Sequence, residues 1–150
     1  MQTLVDSIQI NVPVAQVFEW FEHFTENYTR WHPDHVKSMY IKGESMKINA
    51  RIYSEEYLHG ELHKIVFILT KISINQEIQY KFPFPTSLIM PRGSFKFESV
   101  DTDICRFTAA LSFRFTRLFE RIFPDRVRAI KQHMKEEGLN LKQLLEKTSS

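Results

Sequence analysis

His133 and Glu137 stand one turn apart on a predicted helix, so their side chains project from the same side. Glu137 falls on an apolar stripe between Met134 and Leu141, with His133 at its flank beside Ile130. A carboxylate there faces the interior and needs a partner, because an unpaired buried charge is costly. A predicted hairpin supplies candidates. With His59-Gly60 as a two-residue turn, Leu58 stands opposite Glu61, Glu56 opposite His63, Ser54 opposite Ile65 and Ile52 opposite Phe67. Glu56 then shares its face with Ile48, Ala50, Ile52 and Leu58, while His63 shares its own with Ile65, Phe67 and Leu69. Both point inward, and a slip of one residue would turn both outward. Glu56, His63, His133 and Glu137, joined by His35 at the mouth, form a mixed imidazole and carboxylate set. Such donors suit a catalytic zinc ion with an open position for water, and iron or manganese use the same ligands. The plainer alternative for the helix pair is an exposed i,i+4 contact worth about 0.3 kcal/mol.

The elements that must position these groups follow from periodicity. Leu4–Ile10 reads as a strand, and Asn11-Val12-Pro13 opens a helix whose stripe is Val14, Val17, Phe18, Phe21 and Phe24. Between Thr25 and His35 no clean period survives, and Pro33 biases His32 away from helical angles, so a short helical turn and an irregular connection are expected. Six strands follow with a period near two: Val36–Lys42, Lys47–Leu58, Glu61–Ile72, Glu77–Phe82, Gly93–Val100 and Ile104–Phe115. The last places Cys105, Phe107, Ala109, Leu111, Phe113 and Phe115 on one face. After a short apolar link, Pro124-Asp125 starts a helix that runs to about Leu145, with Val127, Ile130, Met134, Leu141 and Leu145 buried. An antiparallel meander of this length must cover its apolar face, and only the terminal helix is large enough to do so. The fold class is α+β, with a cavity between sheet and helix.

Composition narrows the functional classes. The chain has 150 residues, 43% hydrophobic and 25% charged, which fits one globular domain over residues 1–150 and excludes disorder and a coiled coil. Twenty basic residues against eighteen acidic leave a net charge of +2, too little to argue for nucleic acid. No segment reaches membrane-spanning length, no signal peptide is legible, and one cysteine makes no internal disulfide, so a cytoplasmic setting is the expectation. Gly-rich phosphate loops, nucleophile elbows and C-x-x-C pairs are absent. Cys105 reads as a small buried hydrophobe, His32 and His59 as turn residues, and Arg126, Arg128, Lys131 and Lys135 as a solvated helix face. Trp31, Phe67, Phe107, Phe113 and Met134 are expected to wall the cavity, and Trp20 the core or the cavity.

The element order, with Ile10-Asn11-Val12-Pro13-Val14 leading into Val17-Phe18, resembles the START-like (SRPBCC, birch-pollen-allergen-like, polyketide cyclase-like) helix-grip superfamily over nearly the whole chain. That resemblance implies a curved seven-stranded sheet wrapped on the long C-terminal helix around a ligand cavity. Tyr28-Thr29-Arg30-Trp31-His32-Pro33-Asp34-His35, Glu55-Glu56-Tyr57 and the His133 to Glu137 helix are similar to the 2,4-diacetylphloroglucinol hydrolase family. Those are zinc enzymes of this fold that cleave a carbon–carbon bond between an acyl group and a phenolic ring. The matching ligands would be His35, Glu56, His133 and Glu137, with His35 preferred to His32 because it lies nearer the strand and Glu56 to Glu55 because of its face. This chain is shorter than those hydrolases and is expected to lack their extra N-terminal portion.

Two functions follow as expectations. The first is a small metal-dependent hydrolase in which the ion polarises a substrate carbonyl and lowers the pKa of a bound water, and aromatic walls hold an apolar, ring-containing acyl substrate. His63 and Tyr28 are expected near the cavity mouth, in supporting or proton-transfer roles. The second is a non-catalytic carrier of a lipid or polyketide-like molecule, with the polar cluster as a hydrogen-bonded lining. Oligomeric state is not readable from the chain.

Overall fold

The computed structural model describes residues 1–114 and 116–148. Seven strands form one antiparallel sheet in the order β1-β7-β6-β5-β4-β3-β2, which puts β1 (Gln2–Ile10) and β2 (His35–Lys42) on opposite edges. Helices α1 (Val14–Glu22) and α2 (Phe24–Trp31) make the crossing between those edges. The meander continues through β3 (Arg51–Leu58), β4 (Glu61–Ser73), β5 (Glu77–Lys81), β6 (Arg92–Asp101) and β7 (Ile104–Phe113). A short helix α3 (Thr116–Ile122) leads into α4 (Pro124–Thr148), which lies across the concave face. This is the expected helix-grip architecture.

Each element follows from local chemistry. β1 alternates exposed and covered positions along its length, so one face meets α4 and the other meets water. The β3–β4 hairpin turns at His59 and Gly60, both at positive φ (54° and 75°), the two-residue geometry whose twist matches the strands. Its register is the expected one, Leu58 with Glu61, Glu56 with His63, Ser54 with Ile65 and Ile52 with Phe67. The core is aromatic. Phe21 packs against Phe95, Phe97, Phe107 and Trp31 at ring separations of 4.8 to 5.5 Å, and such pairs add about 1 kcal/mol each beyond their buried area. Gly93 lies under the Tyr80 ring, where any Cβ would collide with the phenol.

Four expectations need correction. The segment after Phe24 is a two-turn helix, because Phe24, Tyr28 and Trp31 give α2 its own buried stripe and Pro33 acts only beyond its end. The apolar link before Pro124 is helix α3. β3 begins at Arg51 rather than Lys47, which leaves Ile48 outside the strand and exposed. Phe107 is core, stacked on Phe21 and Phe95, and does not line the main cavity. Phe115, expected as the end of the last strand, lies outside the described residues, as do Ser149 and Ser150.

Candidate functional site

α4 brings two side chains to the concave face. His133 and Glu137 project together, with Met134 beside them, as the i,i+4 spacing requires. Glu56 reaches the same point from β3, where the hairpin register sets it on the inner face with Ser54 and Ile52.

His35 arrives by a different device. β2 pairs His35 with Glu56 but Lys37 with Glu55, so Val36 is an extra residue, a bulge. Lys37 faces out and pairs with Glu55 at 3.4 Å, while Ser38 faces in and bonds Ser54 at 2.9 Å. Without the bulge, strict alternation from Ser38 would turn His35 to solvent; with it, the imidazole points inward. Its side chain is fully buried, so it sits at the floor of the site and not at the mouth.

The four donors meet closely. His35 Nε2 lies 3.1 Å from Glu56 Oε2 and 2.9 Å from Glu137 Oε2; His133 Nε2 lies 3.1 and 3.2 Å from the same two oxygens. The two Nε2 atoms are 3.2 Å apart. Four N···O approaches are served by at most two N–H protons. A tetrahedral ion with donor bonds near 2.1 Å needs donor–donor edges of about 3.4 Å, a few tenths of an ångström wider than these. The set therefore fits a divalent cation after a small outward relaxation.

Surrounding groups fix the ligand geometry. His35 Nδ1–H donates to the Tyr28 carbonyl at 2.8 Å, which directs Nε2 at the cluster, the usual arrangement behind a metal-binding histidine. The Tyr28 ring stacks on His35 with centroids 3.9 Å apart, and its hydroxyl donates to Glu56 Oε2 at 3.1 Å. Burial and the nearby carboxylates push the Tyr28 phenol far above its ordinary range, so it remains a donor. Trp31 Nε1–H donates to the Glu137 carbonyl at 2.9 Å, and Asn140 donates to the Trp31 carbonyl at 3.1 Å. These bonds tie α4 to the α2–β2 corner.

Electrostatics agree with the geometry. Burial works against charging His35 and His133, but hydrogen bonds to Glu137 and Glu56 outweigh it and hold the pKa values at about 9 and about 10. Burial likewise opposes ionisation of Glu56 and Glu137, and the bonds from His133 and His35 overcome it, so both carboxyls titrate below their ordinary range.

His32 is no simple turn residue. It is buried; its Nδ1 accepts from the Asp34 N–H at 3.0 Å and its Nε2–H donates to Glu136 Oε1 at 2.9 Å. Its ring packs against His133 at 4.3 Å. His32, His133 and Glu136 come within 4.8 Å of one another, yet both ring nitrogens of His32 are already used, so this cluster is a clamp on the ring of His133. Nothing local in the sequence marks the pairing, because its partners are 104 residues apart.

Beside the four donors opens a cavity of about 380 Å³. Trp31, Phe67, Phe113 and Met134 line it as expected, joined by Tyr28, Tyr80 and Phe95, and Glu56, His133 and Glu137 form its polar end. His63 lies on the wall, outside the four-donor group. Tyr28 is at the closed end, not the mouth. Cys105 is fully buried, and burial pushes its thiol up to about 11, which suits its reading as a hydrophobe. His59 is a turn residue, as expected.

The sequence matches, over residues 1–146, the family described as polyketide cyclase / dehydrase and lipid transport. The chain belongs to that family. A search of curated proteins finds no match. Among solved structures, the family fold recurs in the Zhui aromatase/cyclase from Streptomyces sp. R1128, with TM-score 0.77, 10% identity, and coverage of 99% of this chain and 96% of that one. The di-domain ARO/CYC BexL from the BE-7585A biosynthetic pathway matches with TM-score 0.76 and 17% identity over 97% of this chain; the match spans about half of that protein, 47%. Ara h 8.0201 matches with TM-score 0.69 and 13% identity over 96% of this chain and 97% of that one. At these identities the likeness is one of fold.

Proposed function

We propose that this protein binds a small apolar, ring-containing molecule in the grip cavity. The observation that carries the reading is a partly open cavity of about 380 Å³ with aromatic and aliphatic walls and Glu56, His133 and Glu137 together at one end. A ring seated between Trp31, Phe67 and Phe95 would leave its oxygen substituents facing Glu56, His133 and Glu137. The family description and the aromatase/cyclase neighbours support a polyketide-like ligand. Titration with 1,3-dihydroxynaphthalene tests it. Saturable quenching of tryptophan fluorescence, lost when Met134→Trp fills the cavity, is expected; no saturable quenching overturns the reading.

The four convergent donors favour a second layer, a metal-dependent hydrolase acting on a carbonyl next to that ring, including carbon–carbon bond hydrolysis. His35, Glu56, His133 and Glu137 would hold the ion, zinc first, with iron or manganese as alternatives. A bound ion supplies Lewis acidity toward a carbonyl oxygen and toward water. The chain does the rest. Tyr28 holds the Glu56 carboxylate in place through its hydroxyl, His35 is oriented through Nδ1, and the apolar walls exclude bulk water. His63, on the cavity wall, carries a proton within reach of a ligand seated there. Elemental analysis decides this layer: about one equivalent of zinc, iron or manganese in wild type and none in His133→Ala with Glu137→Ala is expected. A metal-free wild type would leave the binding protein alone.

A further inference from the structure

The end of the grip opposite the four donors is built from the loop between β5 and β6, from α3 and from the start of α4. Arg114 N–H donates to the Ile89 carbonyl at 2.7 Å, which joins the loop to the chain entering α3. Phe119 turns inward over a void of about 140 Å³ that shares Leu58, His63, Phe113 and Ile130 with the main cavity. α3 therefore covers the small void that adjoins the main cavity at this end.

Its outer side is unusual. Leu118 and Ile122, one turn apart on α3, are 55% and 56% exposed, and Phe84 on the neighbouring loop is 76% exposed. Leu88, Ile89 and Phe123 are exposed beside them. Arg117 and Arg121 flank the α3 stripe, and both are exposed, as is Arg114. Residues 114–131 hold six basic and two acidic side chains, a net +4 in a chain whose total is +2. Arg126, Arg128 and Lys131 pair with Glu61, Asp125 and Glu120, whereas Arg114, Arg117 and Arg121 have no acidic partner among the described residues.

We infer that this surface docks on an anionic lipid bilayer, with Leu118, Ile122 and Phe84 in the interface and Arg114, Arg117 and Arg121 against lipid phosphates. Protruding apolar side chains ringed by unpaired arginines are what a headgroup layer accommodates, while the protein interface that would suit them must offer both a pocket for each side chain and acidic groups around it. No helix among the described residues is long and apolar enough to cross a membrane, so the contact is peripheral. Docking there would set this end of the cavity against the hydrocarbon from which an apolar ligand could enter. The inference needs neither the metal nor the ligand reading, since vesicle binding is measured without either.

Co-sedimentation with vesicles tests it. The full chain should pellet with vesicles of roughly three parts phosphatidylcholine to one part phosphatidylserine and stay soluble with phosphatidylcholine alone. Raising the salt to about 0.5 M should weaken the binding by screening. Arg117→Gln with Arg121→Gln should lower the affinity about fivefold for each arginine removed, and Leu118→Ser with Ile122→Ser should abolish pelleting. Melting curves confirm that each variant is folded. A wild type that ignores the anionic vesicles, or pelleting unchanged by Leu118→Ser with Ile122→Ser, overturns the inference. Arginine-dependent binding to immobilised polyglutamate without vesicle binding would also overturn it, in favour of an acidic protein partner.

Discussion

The two ends of the cavity are built on opposite principles. At the closed end the ionisable groups are paired and, apart from the half-exposed Glu136, largely buried: His35 and His133 with Glu56 and Glu137, Tyr28 with Glu56, His32 with Glu136. At the open end apolar side chains stand in water and three arginines lack acidic partners among the described residues. A buried charged cluster holds only as a whole, because removing one member leaves its partners desolvated and uncompensated. An exposed patch has no such dependence. The contrast separates a mutually dependent polar cluster, mostly buried, from an exposed apolar surface with an excess of basic charge.

The closed end should therefore break first. Glu137→Leu leaves two buried imidazolium groups sharing Glu56 alone, and a loss of about 3–5 kcal/mol is expected by urea denaturation in the presence of a chelator. A loss under about 1 kcal/mol would mean the cluster is wet and loosely coupled. Next in size is pH. In the cation-free protein His35 and His133 titrate at about 9 and about 10, above the roughly 6.5 of an unfolded histidine. Their stabilisation is complete below about pH 6.5 and is lost as pH rises through 9 to 10. Glu56 and Glu137 are shifted down, so their share is present above about pH 4.3 and is lost as pH falls. A stability maximum between about pH 4.5 and 6.5 follows, with a decline on both sides that steepens as the unfolded histidines lose their protons above about pH 6.5. Zinc should then displace both imidazolium protons at pH 7, about two per ion, measurable by calorimetry in buffers of different ionisation enthalpy. Binding without proton release would place the ion elsewhere.

Much of the closed end was legible in the chain because its rules are local. The His59-Gly60 turn fixes the hairpin register, and register plus alternation sends Glu56 inward. The helical period does the same for His133 and Glu137. His35 was legible as a donor but not in its depth, since its direction depends on a bulge at Val36 that no alternation pattern announces. Phe107 shows the same boundary: alternation assigns a face, while depth depends on the Phe21 ring that α1 lays over it. The open end was read least well. α3 is short and two of its three apolar residues, Leu118 and Ile122, are exposed, so its sequence lacks the buried stripe that marks a packed helix, and it resembled a link.

His32 sits between the extremes and gives a smaller effect. His32→Phe keeps a ring against His133 but deletes the bond to Glu136 and leaves the Asp34 N–H without its acceptor. A loss of about 1–2 kcal/mol is expected, with cation affinity lowered about tenfold as the His133 ring gains freedom. Unchanged affinity with reduced stability would make His32 a purely structural clamp.

The smallest effect belongs to the open end. Leu118 and Ile122 are more than half exposed, so Leu118→Ser with Ile122→Ser removes little buried surface, and the folding free energy should move by no more than about 0.5 kcal/mol. The same double variant is the one expected to lose vesicle binding. Residues that do nothing for the fold and carry an interaction mark a surface kept apolar for a partner's sake. If denaturation instead showed a loss of several kcal/mol, α3 would be packed into the core in solution and the contrast between the two ends would disappear.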